Sequence, residues 1–289
     1  YAQYRDYFNV YTVVGLSPDS GVGTVNTIRE ARFGSQYGLQ GGGKIAPDAA
    51  TCFKYACMAP TVDKDNINQT LVVLIENSDE YDGICYMYGD GSAIALCPMS
   101  SDVYPYDFRG IVQHEAGGHG FGKLLDEYVV YQFVTFDTGL WDNFIQTRNL
   151  GVGRNIDKYW GTAYPGTANM VWGGTIKENA VEVTTASNVY WESLIDIYPS
   201  EETGVYEGAN TYSNFYCRST PNSIMNDQFS DKGQFFNAIS RWVIWYRLMR
   251  LTGMNVGNTF ESSLDGFLSF DSDLTLARSS GDFVSTRSL

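Results

Sequence analysis

The sequence predicts an α/β protein of the α+β kind, with strands ahead of one glycine-rich helix and a second, longer helix near the C-terminus. Three observations predict it. Thr70–Glu76 (TLVVLIE) is a continuous apolar run of the length of a buried strand, and Ser92–Cys97 (SAIALC) is a shorter one. Asp107–Leu125 reads as a helix around a cluster of polar residues. Gly233–Leu251 carries apolar residues at helical spacing and reads as an amphipathic helix.

The remaining elements follow in chain order. Tyr7–Gly15 (YFNVYTVVG) alternates and predicts a first strand. Val25–Arg32 suits a short helix or turn. The stretch from about residue 129 to about residue 231 is rich in Gly, Asn, Thr and Trp and reads as loops. Asn255–Leu289 is rich in Ser and Asp and suggests strand pieces or a tail. No internal repeat or low-complexity run interrupts the chain. This order suggests one domain over 1–289, made of an N-terminal subdomain (1–125) and a C-terminal one (126–289), with the polar helix at the floor of a cleft between them.

Composition narrows the function classes. The 289 residues are 44% hydrophobic and 15% aromatic, enough for a sizeable core, which argues against disorder. A net charge of -14 argues against nucleic acid and anionic membrane surfaces as partners. No run of 18 apolar residues offers a membrane span. The acid excess suits an exported protein, and a start at Tyr1 without Met suits a processed or truncated chain. The five cysteines are Cys52, Cys57, Cys85, Cys97 and Cys217. Cys52 with Cys57, and Cys85 with Cys97, are spaced either to close short disulfide loops or to stay reduced.

His114-Glu115-Ala116-Gly117-Gly118-His119 holds the only two histidines of the chain. Zinc hydrolases use imidazoles on one ion with a carboxylate beside the attacking water. The usual H-E-x-x-H places the histidines one helical turn apart. Here they are i and i+5, which differ by about 140° around a regular α-helix. A π-type turn absorbs one extra residue, and such turns occur mostly at functional sites. Gly117 and Gly118 tolerate the distortion, so the pattern predicts a π-bulge or local unwinding near Ala116–Gly118. Glu115 is then the general base. No third histidine exists, so a carboxylate is expected to complete the ligand set. Asp126 is favoured and Glu127 is the fallback, since two acids at a helix C-terminus need a cation. In Pro221–Asn226 (PNSIMN), a tight turn would place Met225 beneath a metal. Asp63–Asn68 starts like a calcium loop but lacks its glycine and terminal glutamate, and reads as a solvated loop. Asn68-Gln69-Thr70 is a glycosylation sequon of chance frequency.

Gly120–Tyr128 (GFGKLLDEY), directly after the second histidine, resembles the bacterial IgA-specific metallopeptidase family, whose members read H-E-x-G-H-[ST]-F-G-x-L-x-D-E-Y. Tyr4–Tyr11 (YRDYFNVY) and Ser17–Gly21 (SPDSG) resemble the start of that catalytic domain, and Gly204–Ala209 (GVYEGA) and Ser223–Met225 resemble later parts. The likeness covers about residues 1–255. It implies a metzincin-like zincin: a twisted, mostly parallel sheet, an active-site helix, a Met-turn at Met225 and the long C-terminal helix. It implies a secreted, cell-surface or periplasmic bacterial zinc endopeptidase, expected to be monomeric, acting on a protein or peptide. His114, His119 and Asp126 would hold Zn2+. Gly122 stands three residues after His119, as the metzincin pattern asks; Asp126 stands seven after rather than six, an offset the family shares. The departure from the family is the extra Gly118. Two residues past Met225, where astacin-like zincins place an oxyanion tyrosine, stands Asp227; Tyr128 is the expected replacement and Tyr206 the alternative. Glu207 is a candidate partner of a ligating histidine. Ser92–Cys97 suits the edge strand to which an extended substrate adds.

Two other readings compete. A retired zincin fold would serve as a protein- or glycan-binding module, although a binder has no need of Glu115. A cell-wall amidase would call for more basic residues than this chain has. Within the enzyme class, a third ligand from Glu178, Glu182 or Glu192 on a later helix is a minor alternative, disfavoured by Met225 and the D-E-Y segment.

Overall fold

Ala93–Pro98 is buried along its whole length, which is why its sequence is an uninterrupted apolar run. A computed structural model describes residues 1–38, 45–79, 82–104, 106–131, 151–158, 182–183, 205–220, 222–226, 235–270, 275–279 and 282–286. The protein is a mixed α/β structure that divides into two compact units, Tyr1–Phe121 and Gly122–Leu289.

The first unit opens with a 3-10 helix, Ala2–Tyr7. Strands β1 (Gln36–Tyr37) and β2 (Ile45–Ala46) pair antiparallel. Helix α1 (Ala49–Ala56) is N-capped by Asp48, whose carboxylate accepts from the Thr51 N–H at 3.2 Å. Strands β3 (Leu71–Glu76), β4 (Ile84–Met87) and β5 (Ala93–Pro98) form a sheet ordered β3-β5-β4. β5 runs parallel to β3 and antiparallel to β4. The alternation along β5 separates two cores. Ile94 and Leu96 pack with Ile45, Cys52 and Leu74, while the small Ala95 and Cys97 pack against Ile111 and Ala116 of the helix. Short side chains on that face let the helix backbone approach the sheet.

In the second unit, β6 (Val129–Tyr131), β7 (Ile156–Lys158), β8 (Glu182–Val183), β9 (Val205–Ala209) and β10 (Thr211–Arg218) form one sheet. Its order is β6-β10-β9-β8, with β7 also on β10. Helix α3 (Ala238–Leu251) is capped by Asn237, whose side chain accepts from the Ser240 N–H at 2.8 Å. Its buried Trp242 stacks on Phe260 with centroids 4.0 Å apart, and its indole N–H donates to Ser263 Oγ at 2.9 Å. Helix α4 (Leu264–Phe270) packs on α3 through Phe267 and Trp245. β11 (Thr275–Ser279) and β12 (Asp282–Thr286) pair as an antiparallel hairpin.

Several expectations are corrected. Tyr7–Gly15 forms no strand: Val10 and Val14 are 86% and 73% exposed, and alternation without a partner makes no ladder. Ser92–Cys97 supplies the central strand rather than the edge. β3 is an edge strand and only alternately buried, with Ile75 56% exposed. The sheets are mixed rather than mostly parallel. Much of the described part of 129–231 is sheet, not loop. Among the described residues no helix is long and apolar enough to cross a membrane, and no disulfide joins any of the five cysteines.

Candidate metal centre

Asp107 starts the helix, its carboxylate accepting from the Gly110 N–H at 3.1 Å. After one α-helical turn, α2 (Phe108–Ile111), the chain continues as a π-helix over Val112–Phe121. The sequence predicts distortion at Ala116–Gly118; the structure spreads it over ten residues. An i→i+5 hydrogen-bonding pattern brings residues five apart onto one face, and His114 and His119 converge. Their Nε2 atoms are 3.1 Å apart, with ring centroids at 4.8 Å and planes at 77°. Two nitrogens on one tetrahedral zinc would stand about 3.3 Å apart. The pair is therefore spaced as two ligands of one ion.

Glu115 belongs to the same buried group, and the ligand atoms of His114, Glu115 and His119 all lie within 4.8 Å of one another. This His-Glu-His cluster could hold a metal ion. It is the one such group among the described residues.

Two glycines make room for it. A Cβ on Gly83, the residue before β4, would lie 2.8 Å from Glu115 Cγ, 2.9 Å from its Oε1 and 2.8 Å from Ile111 Cγ2. A Cβ on Gly120 would meet Leu71 Cδ1 at 2.5 Å, so this glycine lets the helix lie on β3. Beneath the helix, burial holds the Cys97 thiol well above its usual range, and the nearby Glu115 charge adds to the shift. Cys97 is thus a neutral filler. We expect Gly83→Ala to push Glu115 and Ile111 aside and to cost about 1–3 kcal/mol of stability through overpacking. Urea unfolding against the wild type checks the cost.

The second unit holds the other candidates. Lys123, not Gly122, takes left-handed backbone after the helix, with φ +55°. Asp126 is half-buried, and its carbonyl accepts from the Asn210 N–H at 2.8 Å. Glu127 is fully buried. Its carboxylate accepts from Ser223 Oγ at 2.7 Å, Asn155 Nδ2 at 2.9 Å and Asn237 Nδ2 at 3.1 Å. Burial pushes this carboxyl above its usual range; those donors and the Arg218 charge pull it back. Arg218, also fully buried, donates to the carbonyls of Glu207 at 3.0 Å and Gly208 at 2.6 Å. Burial pulls its pKa down to about 10, against the pull of Glu127.

Met225 sits buried in a tight turn, closed by the Asn226 N–H donating to the Ser223 carbonyl at 3.0 Å. The Glu127 N–H donates to the Met225 carbonyl at 2.6 Å. The D-E-Y segment and the methionine turn are therefore stitched together through both the backbone and the side chain of Glu127. Tyr128 is half-buried; Tyr206 and Glu207 are buried on β9. Glu182 lies on β8, whereas Glu178, Glu192, Pro221 and Asp227 lie outside the described residues.

Gly83 and the partners of Glu127 carry no signal in the sequence. A lone glycine before a strand is common, and Asn155, Ser223 and Asn237 stand 28, 96 and 110 residues from Glu127.

No known protein-family model matches the chain, and no curated protein matches it.

Proposed function

We propose that this chain is a zinc-dependent endopeptidase, exported from a bacterium and akin to the IgA-specific metallopeptidases that its sequence resembles. The observation that carries the proposal is the π-helix, which turns an off-pattern i, i+5 histidine pair into two imidazoles 3.1 Å apart with a glutamate beside them. His114 and His119 would hold zinc, with Asp126 as third ligand by its sequence offset from His119. Glu127 is the poorer candidate, since its oxygens already accept from three side chains.

Bound zinc would supply Lewis acidity and lower the pKa of a coordinated water. Glu115 accepts the proton of the attacking water and hands it to the leaving amine. Tyr128 donates to the developing oxyanion. The substrate main chain adds to a sheet edge. Among the described residues β4 is an edge strand, and Gly83 just before it abuts Glu115, which supports β4 in the role that the sequence reading gives to Ser92–Cys97.

Cleavage of a peptide library, with and without chelator, tests the proposal. Cleavage is expected to stop on chelation and return with added zinc. A wild-type chain that holds zinc yet cuts no peptide would instead be the retired, binding form of the fold.

A further inference from the structure

A ten-residue π-helix is unusual, since π geometry mostly occurs as single turns inside α-helices. The segment VQHEAGGHGF includes Gly117, Gly118 and Gly120, whose flexibility favours no one helix form. Relaxation to α geometry would separate His114 and His119 by about 140° around the axis. Something outside the helix must hold the turn that carries His119.

The opening residues of the chain do so. The Tyr1 hydroxyl donates to the Gly117 carbonyl, inside the π segment. The Tyr1 ring meets Phe121, the last π residue, edge-on at 5.9 Å. Phe8 meets Phe121 at 4.9 Å and 72°, and Tyr1 at 6.1 Å. The 3-10 helix Ala2–Tyr7 spans the interval and brings Tyr1 and Phe8 to the same ring. Contacts at Gly117 and at Phe121 bracket His119 on both sides.

We propose that Tyr1, Phe8 and Phe121 form an aromatic clamp that keeps Val112–Phe121 in the π form and so positions His119 against His114. These are positioning residues, since none belongs to the His-Glu-His cluster. For its consequence the proposal rests on the zinc site proposed above.

The test compares Tyr1→Phe, which removes only the hydroxyl, Phe8→Ala, and the exposed control Val10→Ala. Zinc affinity is read by competition with a chromophoric chelator, and amide exchange is read across 112–121 in the metal-free chain. Tyr1→Phe is expected to weaken zinc binding about fivefold through the lost hydrogen bond. Phe8→Ala is expected to weaken it about tenfold through the lost ring contacts. In both variants exchange should speed at 117–121 and stay at wild-type rates in β5, and Val10→Ala should match wild type throughout. Wild-type affinity and wild-type exchange in Tyr1→Phe and Phe8→Ala would overturn the clamp. If Phe8→Ala fails to fold, Tyr1→Phe alone decides. If the wild-type chain binds no zinc, the proposed function fails, and exchange at 117–121 still decides the clamp.

Discussion

Glu115→Gln is expected to lower kcat/KM for peptide hydrolysis by roughly a hundred- to ten-thousandfold, the range of general-base catalysis. Gln keeps the shape and burial of the side chain but cannot accept a proton. The helix should therefore keep its π form, and the histidine pair its spacing. Zinc content is expected to match wild type, because the two imidazoles stay in place. The combination separates a base from a ligand: a lost ligand would lower metal content as well as turnover. Wild-type turnover in Glu115→Gln would remove Glu115 from the chemistry, and lost turnover together with lost zinc would reassign it to the ligand set.

The largest expected effect on stability belongs to Glu127. Glu127→Ala leaves Ser223, Asn155 and Asn237 without their shared acceptor and the buried Arg218 without its nearby anion. Breaking a buried charged network from one side costs about 3–5 kcal/mol. The loss also frees the cap residue of α3 from the D-E-Y segment and leaves the turn at Met225 tied to it by the backbone alone. Glu127→Gln fills the same volume but turns one acceptor into a donor that faces other donors, at a cost of about 1–3 kcal/mol. Urea unfolding should rank wild type above Glu127→Gln and Glu127→Ala last. Equal midpoints for wild type and Glu127→Ala would show that the network contributes no stability.

The parts legible in the sequence are those governed by local pattern. The runs that became β3 and β5, and the helical spacing of α3, are short-range signals, and burial enforces those of β5 and α3. The π geometry was legible too, because two histidines five apart with glycines between them can share an ion in no regular helix. Long-range pairing was not legible. An apolar run of six residues suits a central or an edge strand alike, so the place of β5 between β3 and β4 had to come from the structure. β9 and β10 were hidden by their turn, where Gly208, Asn210 and Thr211 take positive φ and read as loop. Tyr7–Gly15 has the alternation of a strand but no partner. Glu127 shows the limit for the candidate residues: its residue type fits a ligand, and the side chains that donate to it stand 28, 96 and 110 residues away in sequence.

Metal content tests the central claim most directly. Elemental analysis after zinc incubation and exhaustive dialysis without chelator should find about one zinc per chain in the wild type, and little in His119→Ala. Negligible zinc in the wild-type chain under the same treatment would contradict it, since the converged histidines would then hold no ion.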